Sequence, residues 1–359
     1  MKIGVISSYA CIYTANNYGA LLQYYALQVY LKRRGCYAFW IRALLPHSSL
    51  RIILRHLKHY RSLKLLSAYF KCHRAFFDFV SRYLNLSEQT YCGNENLKQN
   101  CPFADLYITG SDQVWGGIQP ENYLCFVKDN SKKVAYAASF GRSDLTDKQW
   151  HIIPQWVRRF RAVSVREKSG VDICHKMGVE ALHLLDPTLL IDAQDYPETS
   201  NSPLPKGGLF GYFLNINNLA DIHIVELEKF AQNHQLSFNI ASCQYSERFF
   251  DADHLIFPSP EEWLCCYKQA KYIVTNTFHG TVFALIYHKP FIVILQRGES
   301  SVQNERITSL LNMFDLKNRL WQDTDWAKTL QTTIDWKDFD TRLKKYRNRS
   351  DLFFKSLGI

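Results

Sequence analysis

Short apolar segments alternate with stretches of helical spacing along nearly the whole chain. This alternation is the strongest constraint on the fold, because repeated strand–helix–strand units close into parallel sheets covered by helices. The first series reads as strands at 3–7, 37–42, 105–109, 134–139 and 162–165, with helices at 18–34, 148–160 and 168–177. Gly35 marks the end of the first helix. A second series follows, with strands at 209–214, 238–242, 272–275 and 291–294 and helices at 219–234, 260–269, 281–288 and 307–314. Between the two series, residues 192–208 hold Pro197, Pro203, Pro205 and the pair Gly207-Gly208, a linker-like composition. The 359 residues, 47% of them hydrophobic, suit two such domains. The expected architecture is α/β: a first domain over 1–195 with a basic helical insertion at about 45–85, a second over 196–335, and a terminal helix at 336–359 that packs back on the first. Ligands in such sheets bind at the carboxyl ends of strands, so the site is expected in the cleft between the halves.

Charge is concentrated at one end. The first acidic residue is Asp78, so residues 1–77 carry +12 and the remainder −2. Residues 50–79 read as helical, with Leu50, Ile53, Leu54, Leu57 and Tyr60 on one face. Arg51, Arg55 and Lys58 fall on another, with Arg61 just beyond. Such a helix can lie on an anionic membrane or grip polyphosphates, or it can be a solvated face over the core. No helix-turn-helix, zinc-finger or RNA-recognition signature is present, so nucleic acid is not an expected partner. The ten cysteines are scattered without a C-x-x-C pair, and neither a metal nor a disulfide framework is expected. No apolar run reaches the roughly 20 residues of a membrane span. The N-terminus reads as a strand and not a signal peptide. The expected location is cytoplasmic, with peripheral contact at the inner face of the plasma membrane.

Four strand-end segments carry candidate chemistry. Asn16-Asn17-Tyr18 precede the first long helix, where Asn is a good N-cap and free N–H groups can face an anion. Ser111-Asp112-Gln113-Val114-Trp115 follow a strand and a Gly turn; such a cluster can orient hydroxyls and stack a sugar ring. Arg166, at another strand end, can clamp a carboxylate or phosphate in bidentate fashion, or simply pair with Glu167. Asn276-Thr277-Phe278-His279-Gly280-Thr281 end a fourth strand. There His279 is suited to proton transfer, and Gly280 to close approach by a ligand. Arg297, Asn304 and Arg306 add polar groups downstream.

In this order, the segments resemble the polysaccharide pyruvyl transferase family. The pieces are NNYGALLQYYAL at 16–27, DLYITGSDQVWG at 105–116, AYAASFG at 135–141, SVREKSG at 164–170, LDPTLL at 185–190 and TNTFHGTVFALIYHKPFIVI at 275–294. The resemblance implies a GT-B-like fold of two facing Rossmann-type domains. It implies phosphoenolpyruvate as donor substrate, no cofactor, and a sugar hydroxyl pair as acceptor, on a lipid-diphosphate-linked or oligosaccharide carrier. The product is a pyruvate ketal on a surface glycan. His279 would be the acid/base residue and Arg166 an anion-binding residue, with Ser111 and Asp112 at the cleft. Donor contacts are expected from Arg166, Arg297, Asn276, Thr277, Gly280 and Thr281. Asp112 is expected to orient or deprotonate the acceptor, with Asn16, Asn17, Tyr18, Ser111, Gln113, Trp115, Ser139, Asn304 and Arg306 around the cleft. Where some members carry Arg-Leu before the histidine, this chain has Thr277-Phe278.

The chemistry asks for a positioned proton donor for the methylene carbon, cations for two anionic groups, and an acceptor for a hydroxyl proton. It needs no metal. Two other readings use the same features: a nucleotide-sugar glycosyltransferase with the same two-domain cleft, and a non-catalytic glycan- or membrane-binding module, which leaves His279 without a role.

Overall fold

The computed structural model describes residues 1–9, 16–44, 62–199, 206–244, 246–250, 253–323 and 325–359. Arg51, Arg55, Lys58 and Arg61 lie outside the described residues. Twelve described strands form two parallel sheets. The first sheet contains β1 (Lys2–Ile6), β2 (Tyr37–Leu44), β3 (Leu86–Cys92), β4 (Leu106–Thr109), β5 (Lys133–Ala138), β6 (Ala162–Val165) and β7 (Leu182–His183), in the order β3-β2-β1-β4-β5-β6-β7. The second contains β8 (Leu209–Phe213), β9 (Phe238–Ser242), β10 (Leu255–Ile256), β11 (Tyr272–Thr275) and β12 (Phe291–Val293), in the order β10-β9-β8-β11-β12. Helices α1 (Tyr18–Lys32), α2 (Leu63–Tyr83), α3 (Gly93–Gln99), α4 (Asp147–Val157) and α5 (Lys168–Lys176) belong to the first series. The second has α6 (Ile224–Asn233), α7 (Pro260–Gln269), α8 (Phe278–Ile286), α9 (Asn304–Met313), α10 (Trp326–Gln331) and α11 (Trp336–Ser356).

Each sheet reverses its strand order once, between β1 and β4 and between β8 and β11. Crevices open at such switch points, outside the carboxyl ends of the strands. The central strands are mostly apolar because helices cover both sheet faces; every residue of β4, β5, β8 and β11 is buried, Lys133 at the start of β5 included.

Several elements differ from the sequence expectation, the short β7, β10 and α10 among them. The helix expected at 219–234 is broken: Leu219–Ile222 is a 3₁₀ turn, and His223 in the left-handed region (φ 53) separates it from α6. Strand β3 and helix α3 were not expected, since LSEQTYC is an edge strand with several exposed polar residues and lacks an apolar run. Helix α8 begins at Phe278 and not at 281, which puts His279 inside its first turn.

The two domains meet through α1. The Tyr18 ring stacks on Trp263 at 5.0 Å, and its hydroxyl donates to Pro258 O at 2.6 Å. The terminal helix α11 bonds to the first domain: Tyr136 donates to Ser350 at 3.1 Å, and Arg347 Nε donates to Leu189 O at 2.7 Å.

Candidate active site

A cavity of about 270 Å³ lies where the carboxyl ends of the two sheets face each other. Ser8 and Asp112 line it from beyond β1 and β4, Asn215 and Gln244 from beyond β8 and β9, and Thr277, His279 and Gln296 from beyond β11 and β12. Asn17, Gln113, Gln303 and Arg306 complete its polar wall. Two helices begin at this cavity. Asn17 caps α1, its Oδ1 accepting from Ala20 N at 3.0 Å, and Thr277 caps α8, its Oγ1 accepting from Gly280 N at 2.8 Å. Their N-termini add partial positive charge to the pocket.

Beneath the cavity sits a buried charged cluster. Arg166 Nη1 donates to Asp186 Oδ2 at 2.7 Å, and its Nη2 lies 3.4 Å from Asp112 Oδ1. The guanidinium stacks over the Phe278 ring at 4.3 Å. Asp186 also accepts from Ser111 Oγ at 2.8 Å, and from Thr188 N at 3.0 Å and Thr188 Oγ1 at 2.6 Å. Burial pushes the Asp186 carboxyl up, but the neighbouring His279 and Arg166 and the Thr188 bonds hold it well below the usual carboxylate range. The same contest, with Arg166 foremost and His279 and Arg306 behind it, leaves Asp112 below its ordinary value. Both are carboxylates at neutral pH.

His279 stands between this cluster and the cavity. Its Nε2 is 3.6 Å from Asp186 Oδ2 and, among the described residues, has no hydrogen-bond partner in range. Its other edge is packed against α1. A Cβ built on Gly19 would lie 2.1 Å from His279 Nδ1, so only glycine lets the two helix starts approach. Asp112 adopts φ 78, an uncommon conformation for a non-glycine residue. Its carbonyl is fixed there by Val114 N at 2.7 Å and Ser139 N at 3.0 Å.

The expected cations divide differently from the sequence reading. Arg166 is buried among its carboxylates and does not line the cavity. Arg297 is exposed, 3.4 Å from His223 Nε2, and also does not line it. Arg306 does. It is 7% exposed and, among the described residues, its guanidinium bonds to the neutral Gln303, with Nη2 donating to Oε1 at 2.8 Å. Among the described residues it has no carboxylate within salt-bridge distance. Burial and the nearby Arg166 push its pKa down to about 10, so it remains a cation at neutral pH.

Other expected site residues have structural roles. Trp115 cannot stack a sugar: it is fully buried, donates to Asn122 O at 3.2 Å and packs against Tyr123 and Phe140. Gly280 is not open to a ligand, since a Cβ there would meet Thr275 Oγ1 at 2.1 Å. Asn276 clamps the end of β8 through both Leu214 N and Leu214 O. Thr281 bonds back to Thr277 O. Asn304 pins Gln296 by its backbone N and O. Asn16 Oδ1 accepts from His73 Nδ1 at 2.6 Å, and Tyr18 is spent on the domain interface. Ser139 donates to Glu167 Oε1 at 3.0 Å, which also accepts from Phe140 N at 2.8 Å and so holds the loop after β5. Burial raises the Glu167 carboxyl despite Arg166 and Arg306.

Sequence reasoning passed over Asp186, the hub of the cluster. Its signal was an Asp-Pro-Thr turn after a strand, which also reads as an ordinary cap.

Two facing Rossmann-type sheets with a polar cavity between their carboxyl ends define a GT-B fold. Anabaena Alr3699/HepE, solved with UDP and glucose, shares it at a TM-score of 0.50 and 10% identity, over 99% of this chain and 100% of that one. UDP-GlcNAc 2-epimerase from Neisseria meningitidis gives 0.48 at 8% identity, over 99% and 100%. No curated protein sequence matches the chain. The polysaccharide pyruvyl transferase family matches residues 17–296, and the chain belongs to that family. It is thus a transferase of polysaccharide biosynthesis.

Proposed function

We propose that the chain transfers pyruvate from phosphoenolpyruvate to two hydroxyls of one sugar, forming a cyclic ketal and releasing phosphate. The observation that carries this reading is Arg306: a buried guanidinium facing the cavity has, among the described residues, no carboxylate within salt-bridge distance, and the more distant charges of Asp112, Glu167 and Asp186 do not offset its burial, so an arriving anion is favoured. Two helix N-termini and His279 surround the same space. A cavity of about 270 Å³ is at the small end for ligand sites and suits a three-carbon phosphate better than a nucleotide sugar. The cation that Thr277 cannot supply comes from Arg306 on α9.

His279 gives a proton to the methylene carbon, turning it into a methyl group and leaving C2 oxocarbenium-like. One sugar hydroxyl adds to C2. The C2–O bond to phosphate then breaks as the second hydroxyl closes the ring. Of the two hydroxyl protons, one restores His279 and one leaves with phosphate. Asp112, on the cavity wall, accepts from the acceptor hydroxyls and orients them, while Asp186 and Arg166 hold the imidazole side of the site.

The test is incubation with phosphoenolpyruvate and a panel of soluble and lipid-diphosphate-linked oligosaccharides, following phosphate release and product mass. Acceptor-dependent phosphate release with a pyruvate ketal on the glycan is expected. Transfer from a nucleotide sugar, with phosphoenolpyruvate inert, overturns the reading.

A further inference from the structure

Ten described residues other than glycine adopt positive φ. Five of them close helices, the ordinary use of this conformation: Leu124 and His223 end 3₁₀ turns, and Gln235, His288 and Asp315 follow α6, α8 and α9. Ala137 sits at the register shift within β5, and Asn16 precedes the cap of α1. The remaining three are Asp112 (φ 78), Asn215 (φ 55) and Gln244 (φ 57). Each lies just beyond a strand, β4, β8 or β9, and each lines the cavity. Strained residues persist where the surrounding structure over-determines them, and they gather at ligand sites. The loops of Asn215 and Gln244 are fastened in that way. Asn276 holds both the N–H and the carbonyl of Leu214, at 2.9 and 2.7 Å. Ser242 Oγ donates to Phe213 O at 2.6 Å, and Ile216 N donates to Ser246 Oγ at 3.4 Å, so the two loops are tied to each other.

We infer, on the basis of the transfer proposed above, that Asn215 and Gln244 bind the acceptor sugar and select an uncharged ring. A carboxamide both donates and accepts without carrying charge, as a sugar hydroxyl does. Asn215 Nδ2 is turned toward Gln296 Oε1 at 3.5 Å, and its Oδ1 has no partner among the described residues. The charged groups of the cavity lie elsewhere: His279 follows β11, Arg306 follows β12, and Asp112 comes from the first sheet. In the strand order β10-β9-β8-β11-β12, the two carboxamides therefore stand on one side of the switch point and the two cations on the other. Neighbouring strands lie about 4.8 Å apart, so β9 and β12 are separated by about 14 Å, enough for an anionic donor and a sugar ring side by side. A carboxylate or phosphate on that ring would meet no cation from the β8 and β9 loops among the described residues. Asp112, across the cavity, faces the same ring from the first domain.

The probes are the methyl glycosides of glucose, galactose and mannose as neutral rings, glucuronic acid as a charged one, and UDP. Each is titrated into the full chain by saturation-transfer NMR, with and without phosphoenolpyruvate, whose own binding is read by calorimetry. At least one neutral glycoside should bind, in preference to glucuronic acid. Glycine accepts positive φ freely, so Asn215→Gly/Gln244→Gly should melt within a few degrees of wild type. It should bind the glycoside at least about tenfold more weakly, for two lost hydrogen bonds, and bind phosphoenolpyruvate as wild type does. Each single variant should show part of that loss, so the test does not depend on the double variant folding. Five results would each overturn the inference: no glycoside binding to wild type, preference for glucuronic acid, equal glycoside binding by the variants, equal loss of phosphoenolpyruvate binding, or UDP as the ligand that the variants lose. Failure of the pyruvyl reading alone looks different: wild type then binds no phosphoenolpyruvate, while a neutral glycoside still binds through the two carboxamides.

Discussion

Replacing Gly19 with alanine tests the geometry of the site from a residue that carries no chemistry. Gly19 is the second residue of α1, and alanine is intrinsically the better helix former by about 1 kcal/mol. Propensity alone therefore predicts a more stable protein. The new methyl carbon would instead lie 2.1 Å from Nδ1, 2.4 Å from Cγ and 2.9 Å from Cβ of His279. Carbon–nitrogen contact requires over 3 Å, so the imidazole must move by about 1 Å or α1 must shift. Overpacking of this kind costs about 1–3 kcal/mol, which offsets the helix gain and leaves Tm near or a few degrees below that of wild type. Activity is more sensitive: a misplacement of about 1 Å at the reacting group costs on the order of 10²-fold. Gly19→Ala should therefore fold and lose about 10²-fold in kcat for phosphate release, with a smaller change in KM for phosphoenolpyruvate. The measurements are steady-state kinetics and thermal melts on the same preparation. A variant with wild-type kcat and a raised Tm would show that the imidazole is not confined by α1 and would remove this account of how His279 is positioned.

Arg306→Ala should raise the KM for phosphoenolpyruvate more than tenfold and Arg306→Lys should recover part of it, since a point charge lacks the guanidinium fork; Arg297→Ala, an exposed side chain, should leave donor kinetics within twofold. Asp186→Asn removes the charge that compensates the buried Arg166 and should destabilise the fold by about 3–5 kcal/mol, read by urea denaturation; a change under about 1 kcal/mol would deny Asp186 its role as hub. Trp115→Ala should cost about 3–5 kcal/mol as a core truncation, whereas a sugar-stacking tryptophan would instead change acceptor KM in a fully stable protein. Lys133 is buried at the start of β5, and its ammonium finds no hydrogen-bond partner among the described residues. Burial, with help from Arg159, pushes its pKa down to about 8. Between pH 8 and the unfolded value of 10.5 the unfolded chain binds more protons, so this group's penalty is full below 8 and fades as pH rises. Lys133→Met should raise Tm at pH 7 and lose that advantage towards pH 10.5; a constant difference across this range would rule out the charge as its source.

The sequence by itself determined the layer plan and which strand ends meet at one cavity. Apolar runs such as KVAYAA and YIVT can be satisfied only in strands buried on both faces, and helices between them force parallel order. Polar turns after such strands then fall at carboxyl edges, where Asn17, Asp112, Gln113, Thr277, His279 and Arg306 do line one cavity. Which polar residue faces that cavity, and which is spent on the protein itself, was decided by tertiary structure alone. Trp115 and Arg166 read as ligand residues because they follow strand ends, yet contacts with Phe140 and Asp186 bury them. Arg306 gains its role because α9 comes from the far end of the second domain, and Asp186 because its turn meets Ser111 from 75 residues away. Gly19 and His279, separated by most of the chain, constrain each other at van der Waals range. Local sequence specifies backbone periodicity through short-range sterics and burial pattern; the direction in which a polar side chain finds its partner depends on packing between segments distant in sequence, which that periodicity does not encode.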